Sequence, residues 1–209
     1  LEKTAPDGLA PLLGSSPDVG AVGYTLGGGL GWLARRYGLA ADSVRSFEVV
    51  TADGRRLRAD ADENPDLFWG LRGGGAGSLG VVTAMEVALF PAEQVYGGNL
   101  LYPAEMAHEV AARYAEWIDG APEELTSSLA LMNFPPIDMV PDFLRGRSFA
   151  IVRGCHSGTT EEAEESLRFW RDWRAPEFDL FMPMPFSGVA MISNDPVDPM
   201  PGGASTEWL

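Results

Sequence analysis

The most informative part of the chain is residues 14–31, which read GSSPDVGAVGYTLGGGLG. Eight of these eighteen residues are glycine or proline. Glycine adopts positive φ without strain and lets a ligand approach the main-chain amides closely. Free amides ahead of a helix form an anion site that needs no lysine. The stretch therefore predicts either a loop that holds a phosphate group through its backbone or a tight turn used only for packing.

A second glycine-rich loop occupies residues 72–80 (RGGGAGSLG) and precedes the apolar residues 81–82. Two such loops favour a large ligand that is touched at two places, such as a dinucleotide. A Walker-type phosphate loop is excluded because Lys3 is the only lysine of the chain. The pattern Gly29-x-Gly31-x-x-Ala34 fits a Rossmann fingerprint poorly, since only the short segment 22–26 is available as the preceding strand.

The composition removes several other classes of protein. The chain has 209 residues, a net charge of −15 and one cysteine, so it is not a disulfide scaffold. The acidic balance argues against nucleic acid as a partner. No apolar run is long enough to cross a bilayer and the start carries no targeting pattern, so we expect no membrane partner and take the cytoplasm as the default location.

The chain divides near residues 91–94 into two halves of different character. Residues 1–93 have a net charge of −4 and residues 94–209 a net charge of −11. In the first half we predict helices over 30–37 and 66–71, a hairpin over 44–59 and a strand over 79–90. In the second half the order is strand 95–102, helix 104–118, strands 125–134 and 148–155, and a helix capped by Thr159 and Glu162. That order predicts an antiparallel sheet with helices on one face.

Other candidate chemistries are weaker. Ser78 lies in the run AGSLG, which is close to the nucleophile elbow of serine hydrolases, but that elbow needs a helix after the turn and here a strand follows. His108 and His156 are the candidate bases, and we expect both to be solvated. Cys155 is expected to be a buried structural thiol. The acidic residues 161–165 suit a solvated helix start, so we predict no metal site.

Taken together, the motifs resemble FAD-linked oxidases of the berberine bridge enzyme-like group, in the p-cresol methylhydroxylase (PCMH)/vanillyl alcohol oxidase superfamily. The resemblance is nearly continuous over residues 8–91 and looser beyond. It rests on the motifs 14–31, 35–39 (RRYGL) with Asp42, 49–54 (VVTADG), 63–69 (ENPDLFW), 71–75 (LRGGG) and 80–83 (GVVT).

The resemblance implies an α+β fold and a function. Residues 1–93 would be the second subdomain of a PCMH-type FAD-binding domain, and residues 94–209 part of an antiparallel-sheet substrate domain with helices on one face. Such enzymes transfer a hydride from a small organic substrate to the flavin, with molecular oxygen as the usual acceptor. The cofactor-binding residues implied by the match are Ser15, Ser16, Val19, Gly20, Gly23, Tyr24, Gly27, Gly28, Gly29, Gly80 and Val81.

The chain departs from the family pattern in two ways. Ser16 stands where some members attach FAD through cysteine. The Arg-x-Gly-Gly-His segment and the C-terminal tyrosine motif of the family are absent, so we expect an internal fragment and assign no catalytic residue. A folded module without flavin is the alternative function, and a serine hydrolase built on Ser78 is the third.

The substrate and the oligomeric state stay open. Aromatic and methionine side chains of the second half could line an apolar pocket or form ordinary core; they are Met132, Phe134, Phe181, Met182, Met184 and Phe186.

Overall fold

The computed structural model describes residue 1 and residues 3–75 and 77–195. The α-helices are α1 (Ala21–Leu26), α2 (Ala34–Tyr37), α3 (Pro65–Gly74), α4 (Ala107–Asp119), α5 (Thr160–Arg171) and α6 (Ala190–Ser193). The strands are β1 (Leu9–Ala10), β2 (Val44–Val50), β3 (Arg56–Asp60), β4 (Val81–Val87), β5 (Phe90–Pro91), β6 (Gln94–Pro103), β7 (Leu125–Asn133), β8 (Ser148–His156), β9 (Phe178–Asp179) and β10 (Met182–Pro185).

The first half is built on a three-stranded antiparallel sheet in the order β3-β2-β4. The predicted hairpin is present, and Gly54 turns it with a φ of +80°. Strand β2 is apolar on its inner face, where Phe47 is fully buried. Helix α3 packs on this face through Phe68, whose ring centroid lies 6.0 Å from that of Phe47. The described ends of the second glycine loop pack on this core, since a Cβ on Gly75 would lie 2.5 Å from the Leu71 Cα and one on Gly80 would lie 2.7 Å from the Val49 side chain.

The second half contains a five-stranded antiparallel sheet in the order β10-β6-β8-β7, with β9 paired beside β6. Helices α4 and α5 cover one face through a core that includes Trp117, Leu167 and Trp170. Thr159 and Glu162 form the predicted capping box at the start of α5. The prediction of an antiparallel sheet with helices on one face is confirmed.

A third group of apolar side chains, which we call the bridging cluster, draws on both halves. From the first half it takes Ala10, Leu12, Trp32, Leu33 and Ala40, and from the second half Val95, Cys155, Met184, Phe186, Val189 and Ile192. The start of the chain and the first glycine loop are thereby packed against the sheet of the second half. The division into domains at residues 91–94 stays a prediction.

Several predicted elements differ from the observed ones. The helix expected over 30–37 forms only as α2. A Cβ atom at Gly31 would lie 1.9 Å from the carbonyl oxygen of Leu13, so this part of the loop is held by backbone packing and not by helical periodicity. The strand expected over 79–90 ends at Val87, and β5 turns away to pair with β1. Residues 22–26 lie in α1, which removes the strand that a Rossmann fingerprint requires.

Candidate functional site

The first glycine loop has a packed end and an open end. At the packed end Gly28 and Gly29 have φ values of +102° and +76°. A Cβ at Gly29 would lie 2.7 Å from atoms of both Ala40 and Tyr24, so only glycine fits there. At the open end Gly20 and Gly23 are exposed, and no atom lies within 4 Å of a Cβ built on either. The backbone at Gly20 and Gly23 is therefore accessible to a ligand.

Tyr24 lies inside the loop. A Cβ on Gly14 would lie 3.0 Å from the Tyr24 ring, and one on Gly31 would lie 3.1 Å from its hydroxyl oxygen. Burial raises the pKa of Tyr24 to about 12, so the hydroxyl stays protonated. Among the described residues this buried hydroxyl has no hydrogen-bond partner. It is a donor for which a ligand oxygen would supply the missing acceptor.

The second glycine loop meets the first. A Cβ on Gly73, whose φ is +97°, would lie 3.7 Å from the Cα of Gly28. Gly80, immediately before β4, lies against the end of β2, where its Cβ would come within 2.8 Å of the Val50 carbonyl oxygen. Val81 begins β4 with 67% of its surface exposed. The two loops expected to touch one ligand are thus neighbours, and their contact runs through Gly28 and Gly73.

The two predicted serines make different contacts. The Ser16 hydroxyl donates to Asp18 within the loop, at 2.6 Å. The Ser15 hydroxyl donates to Asp195 Oδ2, at 2.8 Å, and so connects the glycine loop to the residues that follow α6. Ser15 was expected to face a cofactor, and the sequence gives no sign that it also joins the two halves of the chain.

Two clefts adjoin at this hydrogen bond. The serine cleft, of about 520 Å³, is lined by Ser15, Leu30, Trp32 and Ser128 among others. The methionine cleft, of about 640 Å³, is lined by Met132, Phe134, Met191 and Asp195 among others. Because Ser15 lines one cleft and Asp195 the other, the two clefts are neighbours beside the glycine loop. A small organic molecule can be accommodated in either volume.

The face of the large sheet opposite α4 and α5 carries a polar row. Pairing of β6, β8 and β7 places Asn99, Arg153 and Ser128 side by side. Asn99 donates to the Ile192 carbonyl oxygen, at 2.8 Å. Residues 126, 128, 130 and 132 of β7 share this face, because successive strand residues alternate sides. The alternation of residues along each strand is visible in the sequence. The polar row was not predicted, because it depends on the register between strands.

The aromatic and methionine candidates divide between cleft and core. Met132 and Phe134 line the methionine cleft. Phe181, Met184 and Phe186 are buried core residues, and Met182 is exposed on β10.

The other candidate groups are not arranged for catalysis. Ser78 is exposed in the turn before β4, so a strand follows it and not the helix of a nucleophile elbow. His108 is exposed as predicted, but the prediction that His156 is solvated is wrong: only 2% of its surface is exposed. His156 ends β8 beneath the loop 157–158, where its Nδ1 accepts from the Gly158 N–H at 3.1 Å. Cys155 is buried, as predicted, and burial raises its pKa to about 12.

The described residues contain no group of three or more metal-ligating side chains. None of the helices described here is both long and apolar enough to cross a membrane.

Known proteins similar to this chain are FAD-linked. Residues 1–60 match the protein family described as FAD binding domain. The FAD-linked oxidoreductase ZEB1 of Gibberella zeae is 45% identical over 112 residues, which are 53% of this chain and 20% of that protein. The (R)-6-hydroxynicotine oxidase of Paenarthrobacter nicotinovorans is 30% identical over an alignment that covers 100% of this chain and 44% of that enzyme.

The structural comparison agrees. The crystal structure of 6-hydroxy-D-nicotine oxidase from Arthrobacter nicotinovorans superposes with a TM-score of 0.78 at 26% identity, covering 92% of this chain and 41% of that one. The fold and these relatives are those of FAD-linked oxidoreductases. Solved structures similar to the chain also include a vanillyl alcohol oxidase-type flavoprotein (TM-score 0.70, 26% identity) and berberine bridge enzyme (TM-score 0.69, 25% identity). The chain spans less than half of the length of the relatives described above.

FAD is the cofactor of this family, and the residues present fit it. The open backbone at Gly20 and Gly23 gives a phosphate-bearing ligand room to approach, while Gly28, Gly29 and Gly73 fix the loop behind it. The buried Tyr24 hydroxyl adds a donor without a partner among the described residues.

Proposed function

We propose that residues 1–93 hold FAD and that residues 94–209 present the substrate to it, in an oxidase that removes a hydride from a small organic molecule and uses oxygen as the acceptor. The observation that carries this proposal is the open end of the first glycine loop, where a Cβ built on either of two exposed glycines would meet no residue outside its own turn of chain within 4 Å. In the same loop, Gly29 and Gly31 are by contrast in close contact with the protein.

Each part of the chain has a task in this proposal. Backbone groups of residues 15–29 bind and orient the cofactor, and Gly80 and Val81 add contacts from the second loop. The two clefts bind the substrate beside the Ser15–Asp195 hydrogen bond, where the apolar side chains of Met132 and Phe134 exclude water. The flavin, when bound, supplies the electron acceptor for the oxidation.

The absorption spectrum of the chain tests cofactor binding. Purified protein is mixed with FAD and passed through a desalting column. Its absorption spectrum is then recorded from about 300 to about 600 nm, where flavin absorbs. Retained flavin absorbance supports the proposal. A colourless protein refutes it for this chain and favours the non-catalytic module.

Acid precipitation then tests how the cofactor is attached. Since Ser16 replaces the cysteine that would form a thioether, we expect all of the flavin in the supernatant. Flavin in the pellet would show a covalent link at another residue.

A further inference from the structure

Arg153 differs from the other half-buried arginines. The described structure has five arginines of intermediate burial. Four of them have a carboxylate oxygen within 4 Å, in the pairs Arg113–Glu116, Arg145–Asp142, Arg147–Glu177 and Arg171–Asp179. Among the described residues, Arg153 has no carboxylate within that distance. A cation taken partly out of water without a counter-charge is costly, so it is usually paired or functional.

Within the part of the chain that the structure describes, the contacts of Arg153 include no carboxylate to balance its charge. Its Nη2 donates to the sulfur of Met132, at 2.8 Å, and a thioether is a weak acceptor. Its Nε is buried and has no hydrogen-bond partner among the described residues. Burial lowers the pKa of Arg153, while Asp195, from beyond 4 Å, acts in the opposite sense. The guanidinium stays charged, because its ordinary pKa is far above neutrality.

The position of Arg153 is that of a binding residue. It lies in the polar row of the sheet, opposite Asn99 and Ser128, and Ser128 lines the serine cleft. Met132, which Arg153 contacts, lines the methionine cleft. Arg153 lines neither cleft itself, but it contacts a residue of the methionine cleft and is paired with a residue of the serine cleft. Among the described residues, Asp195 is the one acidic residue that lines the methionine cleft, and its carboxylate already accepts from Ser15.

On the basis of the proposed function, we propose that Arg153 binds a carboxylate carried by an otherwise apolar substrate in the methionine cleft. The flexible Met132 side chain would move from the guanidinium edge, and Nε and Nη2 would donate to the two carboxylate oxygens, the paired geometry that guanidinium favours. The net charge of −15 repels anions at long range, but about 0.1 M salt screens this repulsion beyond about 10 Å. The ion pair between Arg153 and the bound carboxylate would be screened less, because it would be partly shielded from solvent.

Calorimetric titration of the FAD-treated chain with benzoate and with benzamide tests this proposal. The two probes have the same shape, and only benzoate is an anion. We expect benzoate to bind at least about tenfold more tightly, in line with a charge-assisted hydrogen bond. Arg153→Gln should remove that preference and Arg153→Lys should restore part of it. Arg45→Gln, which removes an exposed arginine of β2, is the matched control for net charge and should leave the preference intact.

Equal binding of the two probes to the unaltered chain would overturn the proposal, as would a benzoate preference that survives Arg153→Gln. Binding of neither probe would overturn it as well. Flavin absorbance is measured on the same samples. If the chain does not retain flavin but still prefers benzoate through Arg153, the proposed function is refuted and the role of Arg153 is not. If the chain retains flavin but shows no such preference, the role of Arg153 is refuted and the proposed function is not.

Discussion

Replacement of Gly23 by alanine separates the stability of the fold from its affinity for FAD. Gly23 lies within α1, has no atom within 4 Å of the position of a new Cβ, and does not have a positive φ. Alanine is the better helix former, so Gly23→Ala should raise the free energy of unfolding by about 0.5–1 kcal/mol. The new methyl group points into the space that we assign to FAD. Overpacking of a close contact costs about 1–3 kcal/mol, so the affinity for FAD should fall roughly 5- to 150-fold.

Urea unfolding followed by circular dichroism measures the first effect, and titration of FAD followed by visible absorbance measures the second. The matched control is Gly120→Ala. Gly120 ends α4 and also has open space around a built Cβ, but it lies in the second half of the chain. It should leave the affinity for FAD unchanged. Unaltered affinity in Gly23→Ala, together with the gain in stability, would refute the assignment of this surface to the cofactor.

Further predictions concern the second half of the chain. Leu167→Ala, in the core beneath α5, should lower the free energy of unfolding by about 2–5 kcal/mol in urea titrations. Thr159→Ala should lower the free energy of unfolding by about 1 kcal/mol, because the helix cap is lost. The pKa of Glu162 is held low mainly by the Thr159 N–H and less by the Thr159 hydroxyl, so in this variant a nuclear magnetic resonance titration should find that it rises only partway to its ordinary value. Burial lowers the pKa of His156, so the folded state binds a proton at this residue less readily than the unfolded state. The free energy of unfolding should therefore be highest above about pH 6.5 and should decline as the pH falls below that value. His156→Gln should flatten this dependence on pH. Iodoacetamide should leave Cys155 unmodified in the folded chain and alkylate it in urea, as mass spectrometry would show; rapid modification without urea would contradict its burial.

Local rules account for the parts of the structure that were predictable. The need for glycine at Gly54 and Gly29 is set by backbone dihedral angles and by neighbours close in sequence, so the turns could be predicted from the chain alone. The capping box of Thr159 and Glu162 likewise depends on residues three apart. Strand periodicity gave the hairpin and the three long strands of the second half.

Features that depend on distant pairing were not predictable. Arg153 and Ser128 are neighbours only because of the register between β7 and β8. Ser15 meets Asp195 across nearly the whole chain. His156 has a polar side chain at the end of a strand, a pattern typical of solvent exposure, yet the loop that follows covers it. The helix expected at residues 30–37 was shortened because Gly31 lies against the backbone of Leu13, a contact that hydrophobic periodicity does not encode.

The bridging cluster limits how the two halves of the chain can be recombined with those of similar proteins. Its members come from both sides of the boundary at residues 91–94, so exchange of the second half for that of a related oxidase would place unfamiliar side chains against Trp32 and Leu12. Chimeras joined at this boundary should fold well only when the facing residues around Val95 and Met184 are carried over with the cofactor half. Exchange of halves is therefore limited by a shared core, although most residues of that core line neither cleft.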